Sequence, residues 1–134
     1  KTNRVTLEII PVKIQKEIES DDDLVDLIPE SSEINEDDIL VFSQKIISKN
    51  EGRILNLSSV KPSLLADGIA SSYGKDPRLV ELILSESKRI VRMENGIIIV
   101  ETNHGFVCAN AGIDESNVQD GYVTLLPDDP DKSA

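Results

Sequence analysis

The amino-acid sequence predicts an α+β (mixed α/β) domain: a mixed, largely antiparallel sheet with about three packing helices. Three observations lead there. Short β-branched runs alternate with segments of helical periodicity. Several links between them are too short for the crossovers that parallel strands need. The core must also come from Ile, Leu and Val, because aromatics are 3% of the 134 residues and Trp is absent. That length suits a single domain over residues 1–134.

Val5 to Val12 reads as a first strand, ending near Pro11. Ser20-Asp21-Asp22-Asp23 then precedes Leu24, Val25, Leu27 and Ile28. Side-chain oxygens before an apolar helical pattern accept the free amides of a first turn, so a helix is expected there, stopped by Pro29. Asp37-Asp38 marks a turn. Ile39-Leu40-Val41-Phe42 is a continuous apolar run and reads as a buried strand. Ser43 to Asn50 follows as one or two helical turns, and Glu51-Gly52 breaks them. Arg53 to Val60 alternates around Ile54, Leu55 and Leu57, the pattern of a strand or extended segment.

Pro62-Ser63 opens a helix that ends near Gly74. Asp76-Pro77 opens the clearest helix, since Asp caps well and Pro lacks only an amide the first turn does not use. Leu79, Leu82, Ile83, Ile90 and Val91 keep one apolar face, which carries this helix to Asn95-Gly96. Ile97 to Val100 is then a buried strand, and Tyr122 to Leu126 the last one.

Composition excludes several functions. Fourteen Lys and Arg against 25 Asp and Glu give a net charge of −11, unsuited to non-specific binding of a nucleic-acid backbone. A local nucleotide site is still compatible with that charge. No apolar run is long enough to span a bilayer, and no secretory leader is visible. The lone Cys108 forms no internal disulfide, which fits a reducing, cytoplasmic setting. The chain begins at Lys1, and Pro127 to Asp131 reads as the start of a connector. The 134 residues are therefore expected to be part of a longer protein.

Standard phosphate-loop, dinucleotide, zinc and nucleophile-elbow motifs are absent. Two stretches carry possible chemistry. In Ser43 to Lys49, Lys45 and Lys49 are four apart and share a face if helical. Two converging ammonium groups suit a polyphosphate, and a solvated basic face suits the same pattern. The second stretch is His104 to Asn117, rich in small residues. There Asp114 supplies an anionic oxygen and Asn117 a neutral amide. Such donors suit Mg²⁺, and a turn capped by Asp114 is the bland alternative. His104 and Cys108 read as structural, Cys108 as a small hydrophobe.

These stretches resemble the amino-terminal half of the coenzyme F420-0:L-glutamate ligase (F420 γ-glutamyl ligase) family. The resemblance runs through Asp38 to Lys49, Glu51-Gly52-Arg53, Gly74 to Leu84, Val91-Arg92, Glu101 to Asn117, and Leu125 to Asp131. It implies a GTP-dependent ligase that joins L-glutamate to coenzyme F420-0 in a γ-glutamyl amide bond, through an acyl phosphate. It also implies Mg²⁺ or Mn²⁺, with K⁺, and an intertwined homodimer in the cytoplasm. Gln44, Lys45, Lys49 and Asn117 fall on the family's nucleotide contacts and Asp114 on a divalent-metal ligand. Ser43, Ser48 and Arg92 are weaker matches. No catalytic residue is assigned within this half, and the isolated piece is expected not to turn over. Where the family often has a Gly-Leu-Pro-Glu-like turn, this chain has Ile14-Gln15-Lys16-Glu17. The alternative function is a non-catalytic module of the same fold that binds nucleotide or deazaflavin, or serves assembly.

Overall fold

A computed structural model describes residues 6–30, 32–116 and 120–134. Over these described residues the fold is α+β, with two small antiparallel sheets and four helices. Helix α1 (Gln44–Asn50) leads to strand β1 (Ile54–Asn56), and a tight turn over Leu57–Ser59 follows. Helices α2 (Leu64–Tyr73) and α3 (Pro77–Ser85) then pack on each other. Strands β2 (Ser87–Glu94), β3 (Ile97–Thr102) and β4 (Val107–Ala109) form one sheet in that order. Strand β5 (Tyr122–Thr124) returns to pair with β1, and α4 (Pro130–Ser133) closes the chain.

The helix starts follow from capping. The Ser63 hydroxyl accepts the Ala66 amide at 3.2 Å, and the Asp76 carboxylate accepts the Arg78 amide at 2.8 Å. Arg78 also pairs with Asp76, which holds that carboxyl below its ordinary value. The core lies where α2 and α3 meet β3 and β5: Ala66, Ile69, Val80, Ile83, Ile98, Val100, Val123 and Leu125 are buried. Strand β3 alternates, with Ile98, Val100 and Thr102 inward. Fully burying one such aliphatic side chain is worth about 1.5–3 kcal/mol.

Four expectations are corrected. Residues 6–12 carry no regular structure, and Leu7 and Ile9 are exposed; Val5 lies outside the described residues. Ile39 to Phe42 is likewise not a strand, and Ile39 and Val41 are exposed. An apolar run states a need for burial without naming the partner, and no described strand lies beside either segment. The helix after Asp23 is a single turn: Asp23 accepts the amides of Val25 and Asp26 as expected, but Pro29 leaves no room for a second turn. The helix from Asp76 ends at Ser85, and Ile90 and Val91 lie in β2. The reason is Asn95-Gly96, whose φ values of 49° and 77° make the primed turn that joins two strands. It folds β2 back on β3, pairing Glu94 with Ile97 and Met93 with Ile98.

Candidate functional site

The pairing of β1 with β5 builds the site. Helix α1 runs directly into β1 and packs on β5, with the Arg53 amide on the Ser48 carbonyl at 2.8 Å. On the other side of β5, Asp114 and Thr124 exchange backbone hydrogen bonds of 3.0 and 2.9 Å. The two predicted stretches, distant in sequence, therefore meet around one strand.

The turn that delivers Asp114 is unusual. Asn110, Ala111 and Gly112 all have left-handed φ, of 50°, 54° and 70°. Two non-glycine residues in that region carry a conformational cost, which burial of Ala111 and the Asn110 Oδ1 contact to the Ile98 amide help to offset.

Lys45 and Asp114 form a close ion pair. The Lys45 ammonium also donates to the Ser116 hydroxyl at 2.7 Å and to the Ser116 carbonyl at 3.1 Å. The Ser116 amide donates to the Asp114 carboxylate at 2.8 Å. Lys45 above all, then the Ser116 hydrogen bonds, hold the Asp114 pKa down at about 2.

Lys45 also lines an open hollow of about 370 Å³, together with Lys16, Glu17, Ser43, Ile46 and Lys49. Lys49 is largely buried, its side chain 11% exposed, and pairs closely with Glu17. Lys16 donates to Asp22 at 2.7 Å, and this bond raises its pKa. The hollow shares Lys16, Ile18 and Ile46 with a second one of about 480 Å³, which runs along Val12 to Gln15.

The predicted residues thus divide. Lys45 links two groups of them: it pairs with Asp114, and it lines the hollow together with Lys49 and Ser43. Gln44 donates its amide to the buried Ser48 hydroxyl one turn on. Arg92 sits in the middle of β2, paired with Glu94. Asn117 lies outside the described residues. Sequence reading missed Lys16 and Glu17 as walls of the hollow, although their loop is where the chain departs from the family pattern. It also missed Ser116, which stands two places from Asp114.

His104 donates through Nε2 to the Asp128 carbonyl at 3.0 Å and stacks on Phe106, a structural role. Burial pushes the Cys108 thiol up, away from nucleophilic use. Among the described residues no group of three His, Cys, Asp or Glu side chains could hold a metal. The Asp114 and Ser116 oxygens nevertheless converge on a cation, and such all-oxygen donors fit Mg²⁺, which takes one or two carboxylates and fills its shell with phosphate and water. No helix of the described residues is long and apolar enough to cross a membrane.

The chain is similar in sequence to known proteins. The chain is 48% identical over 129 residues to the coenzyme F420:L-glutamate ligase of Methanopyrus kandleri, covering 96% of this chain and 51% of that protein. It is 59% identical over 97 residues to the enzyme of the same name from Methanothermobacter thermautotrophicus, covering 72% and 38%. Against that of Methanocaldococcus jannaschii it is 46% identical over 101 residues, covering 75% and 40%. The chain spans about half the length of the first of these relatives. All three of these relatives are ligases by name. The chain belongs to the F420-0:Gamma-glutamyl ligase family, whose pattern it matches over residues 12–134.

Proposed function

We propose that this chain is part of a cytoplasmic, GTP-dependent ligase that adds L-glutamate to coenzyme F420-0 through a γ-glutamyl amide bond. The γ-phosphoryl of GTP passes to the terminal carboxylate of F420-0, and GDP leaves. The amine of L-glutamate then attacks the acyl carbon, phosphate departs, and the amine releases a proton. The single observation carrying this reading is the meeting of Lys45 with Asp114 beside a hollow that also holds Lys16 and Lys49.

Phosphoryl transfer asks the protein for positioning and charge neutralisation. Lys45 and Lys49, with Lys16 opposite, meet the phosphate oxygens. The adjoining hollow along Val12 to Gln15 has room for the nucleoside. Asp114 would hold Mg²⁺ or Mn²⁺, which supplies further neutralisation of phosphate charge when bound. K⁺ is a further expected ion, and Asn117 and Gln44 are expected nucleotide contacts. One carboxylate is a sparse metal site, so the remaining ligands, and turnover itself, call for residues beyond these 134. A homodimer is supported by exposed Leu7, Ile9, Ile39, Val41 and Leu64.

The test is product formation from F420-0, L-glutamate and GTP·Mg²⁺ by a full-length protein carrying Asp114→Asn. Loss of the amide product with an unchanged circular dichroism spectrum is expected. Undiminished activity overturns the reading. A second reading, a binding or assembly module without turnover, draws on the lack of a three-ligand cluster among the described residues. Tight calorimetric binding of GTP or a deazaflavin by the 134 residues alone favours it.

A further inference from the structure

We propose that Asp114 and Ser116 form a cation seat in which the Lys45 ammonium is the resident ion, exchanged for a divalent ion when a polyphosphate draws Lys45 away. The inference rests on the polyphosphate reading of the hollow and adds to it an order of events and a new participant, Ser116.

An ammonium group has three N–H donors. Lys45 has three oxygens around it: the Asp114 carboxylate, the Ser116 hydroxyl at 2.7 Å and the Ser116 carbonyl at 3.1 Å. Carboxylate, hydroxyl and carbonyl are the hard donors that oxygen-liganded metal sites use. The seat is held from behind. The Ser116 amide fixes the second carboxylate oxygen at 2.8 Å, and the Asp114 backbone is bridged to Thr124 on β5. The oxygens are therefore positioned by the fold as well as by the lysine.

An ammonium and a divalent ion cannot share these oxygens, because like charges a few ångströms apart repel strongly. Free metal must compete with Lys45. Lys45 also faces the hollow, where phosphate oxygens offer its ammonium an equivalent set of acceptors. The ion pair is partly exposed on both sides, so it is weak enough to be exchanged. Metal and nucleotide then bind with positive coupling, and each tightens the other by the same factor. Lys45 enforces that order as a positioning residue.

The test is titration of the full-length protein with Mn²⁺ alone, followed by electron paramagnetic resonance of the free ion, and then with Mn²⁺ in the presence of GTP. Lys45→Met is expected to bind Mn²⁺ alone about tenfold more tightly than wild type and to lose most of the coupling to GTP. Lys45→Arg keeps a cation in the seat and is expected to stay near wild type. Adding Ser116→Ala to Lys45→Met is expected to weaken Mn²⁺ binding severalfold. If Lys45→Met does not fold, Lys45→Gln is read in the same way. Mn²⁺ affinity in the Lys45 variant no higher than in wild type, with GTP still bound by wild type, overturns the placeholder role alone. A wild-type protein that binds no GTP overturns both the polyphosphate reading and the exchange.

Discussion

Gly112 lies directly against Leu126: a Cβ at residue 112 would stand 2.8 Å from both Cγ and Cδ2 of that leucine. Its φ of +70° is also left-handed. The turn that presents Asp114 therefore has two separate reasons to carry glycine there. Gly112→Ala is expected to destabilise the fold by about 2–4 kcal/mol, from backbone conformation and overpacking together. Urea denaturation measures this. Adding Leu126→Ala relieves only the overpacking, so the double variant should lose less than the sum of the two single changes.

The cap of α3 gives a cleaner number. Asp76 accepts from the Arg78 amide at 2.8 Å and pairs with its guanidinium. Asp76→Ala should cost about 1 kcal/mol, read as a lowered thermal midpoint. Asp76→Asn keeps the cap, and most of the loss should be absent.

Acid should act through Asp114. Its carboxyl titrates at about 2 in the folded chain against an ordinary value of 3.8, so the folded state favours the charged form. The resulting stability is fully present above the ordinary value. It is lost as the pH falls through about 2. In Asp114→Asn, the drop in stability across that acid window should be shallower than in wild type, as followed by chemical denaturation at a series of pH values.

On the proposed reading, Glu17 would compete with phosphate for Lys49. The two form a close pair at the wall of the hollow, and Glu17 is mostly exposed. Glu17→Gln should tighten GTP binding by about two- to fivefold, the range expected for loss of one exposed competing charge. Lys49→Met should weaken it by more. Calorimetric titration of both variants checks the pair.

The exposed apolar segments should drive association. Ile39 and Val41 are each 88% exposed, and Leu64 is 91% exposed. Light scattering is expected to find a dimer, and replacing Ile39 and Val41 by Lys should shift it toward monomer. A strict monomer in the unaltered protein counts against the homodimer.

Much of this was legible in the sequence where the signal is local. Ser63 and Asp76 announced their helices because capping depends on neighbours a few residues away. Ile98 and Val100 were recognisable as core from their surroundings of β-branched residues. Lys45 and Asp114 stood out by chemistry, and the structure puts them in contact. What sequence could not supply was the partner of each apolar run. Ile39 to Phe42 looked buried because it is apolar, yet burial needs a second surface. Ile90 and Val91 fitted a helical face by spacing, and only the Asn95-Gly96 turn decides for the hairpin. Strand β4 escaped notice because Val107 to Ala109 is only three residues long. Ser116 carries no signal of its own, since a serine after an acidic pair is ordinary loop composition.

The separation of partners along the chain sets an order of assembly. Strands β2 and β3 are joined by two residues, so their ladder can close as soon as Asn95 and Gly96 bend. The link from Lys45 to Ser116 spans 71 positions and cannot close until β5 has found β1. Contacts across such a span carry a large loop-closure cost and form late. The hairpin and the helical pair therefore become native first, and the part of the molecule that handles charge is the last to mature.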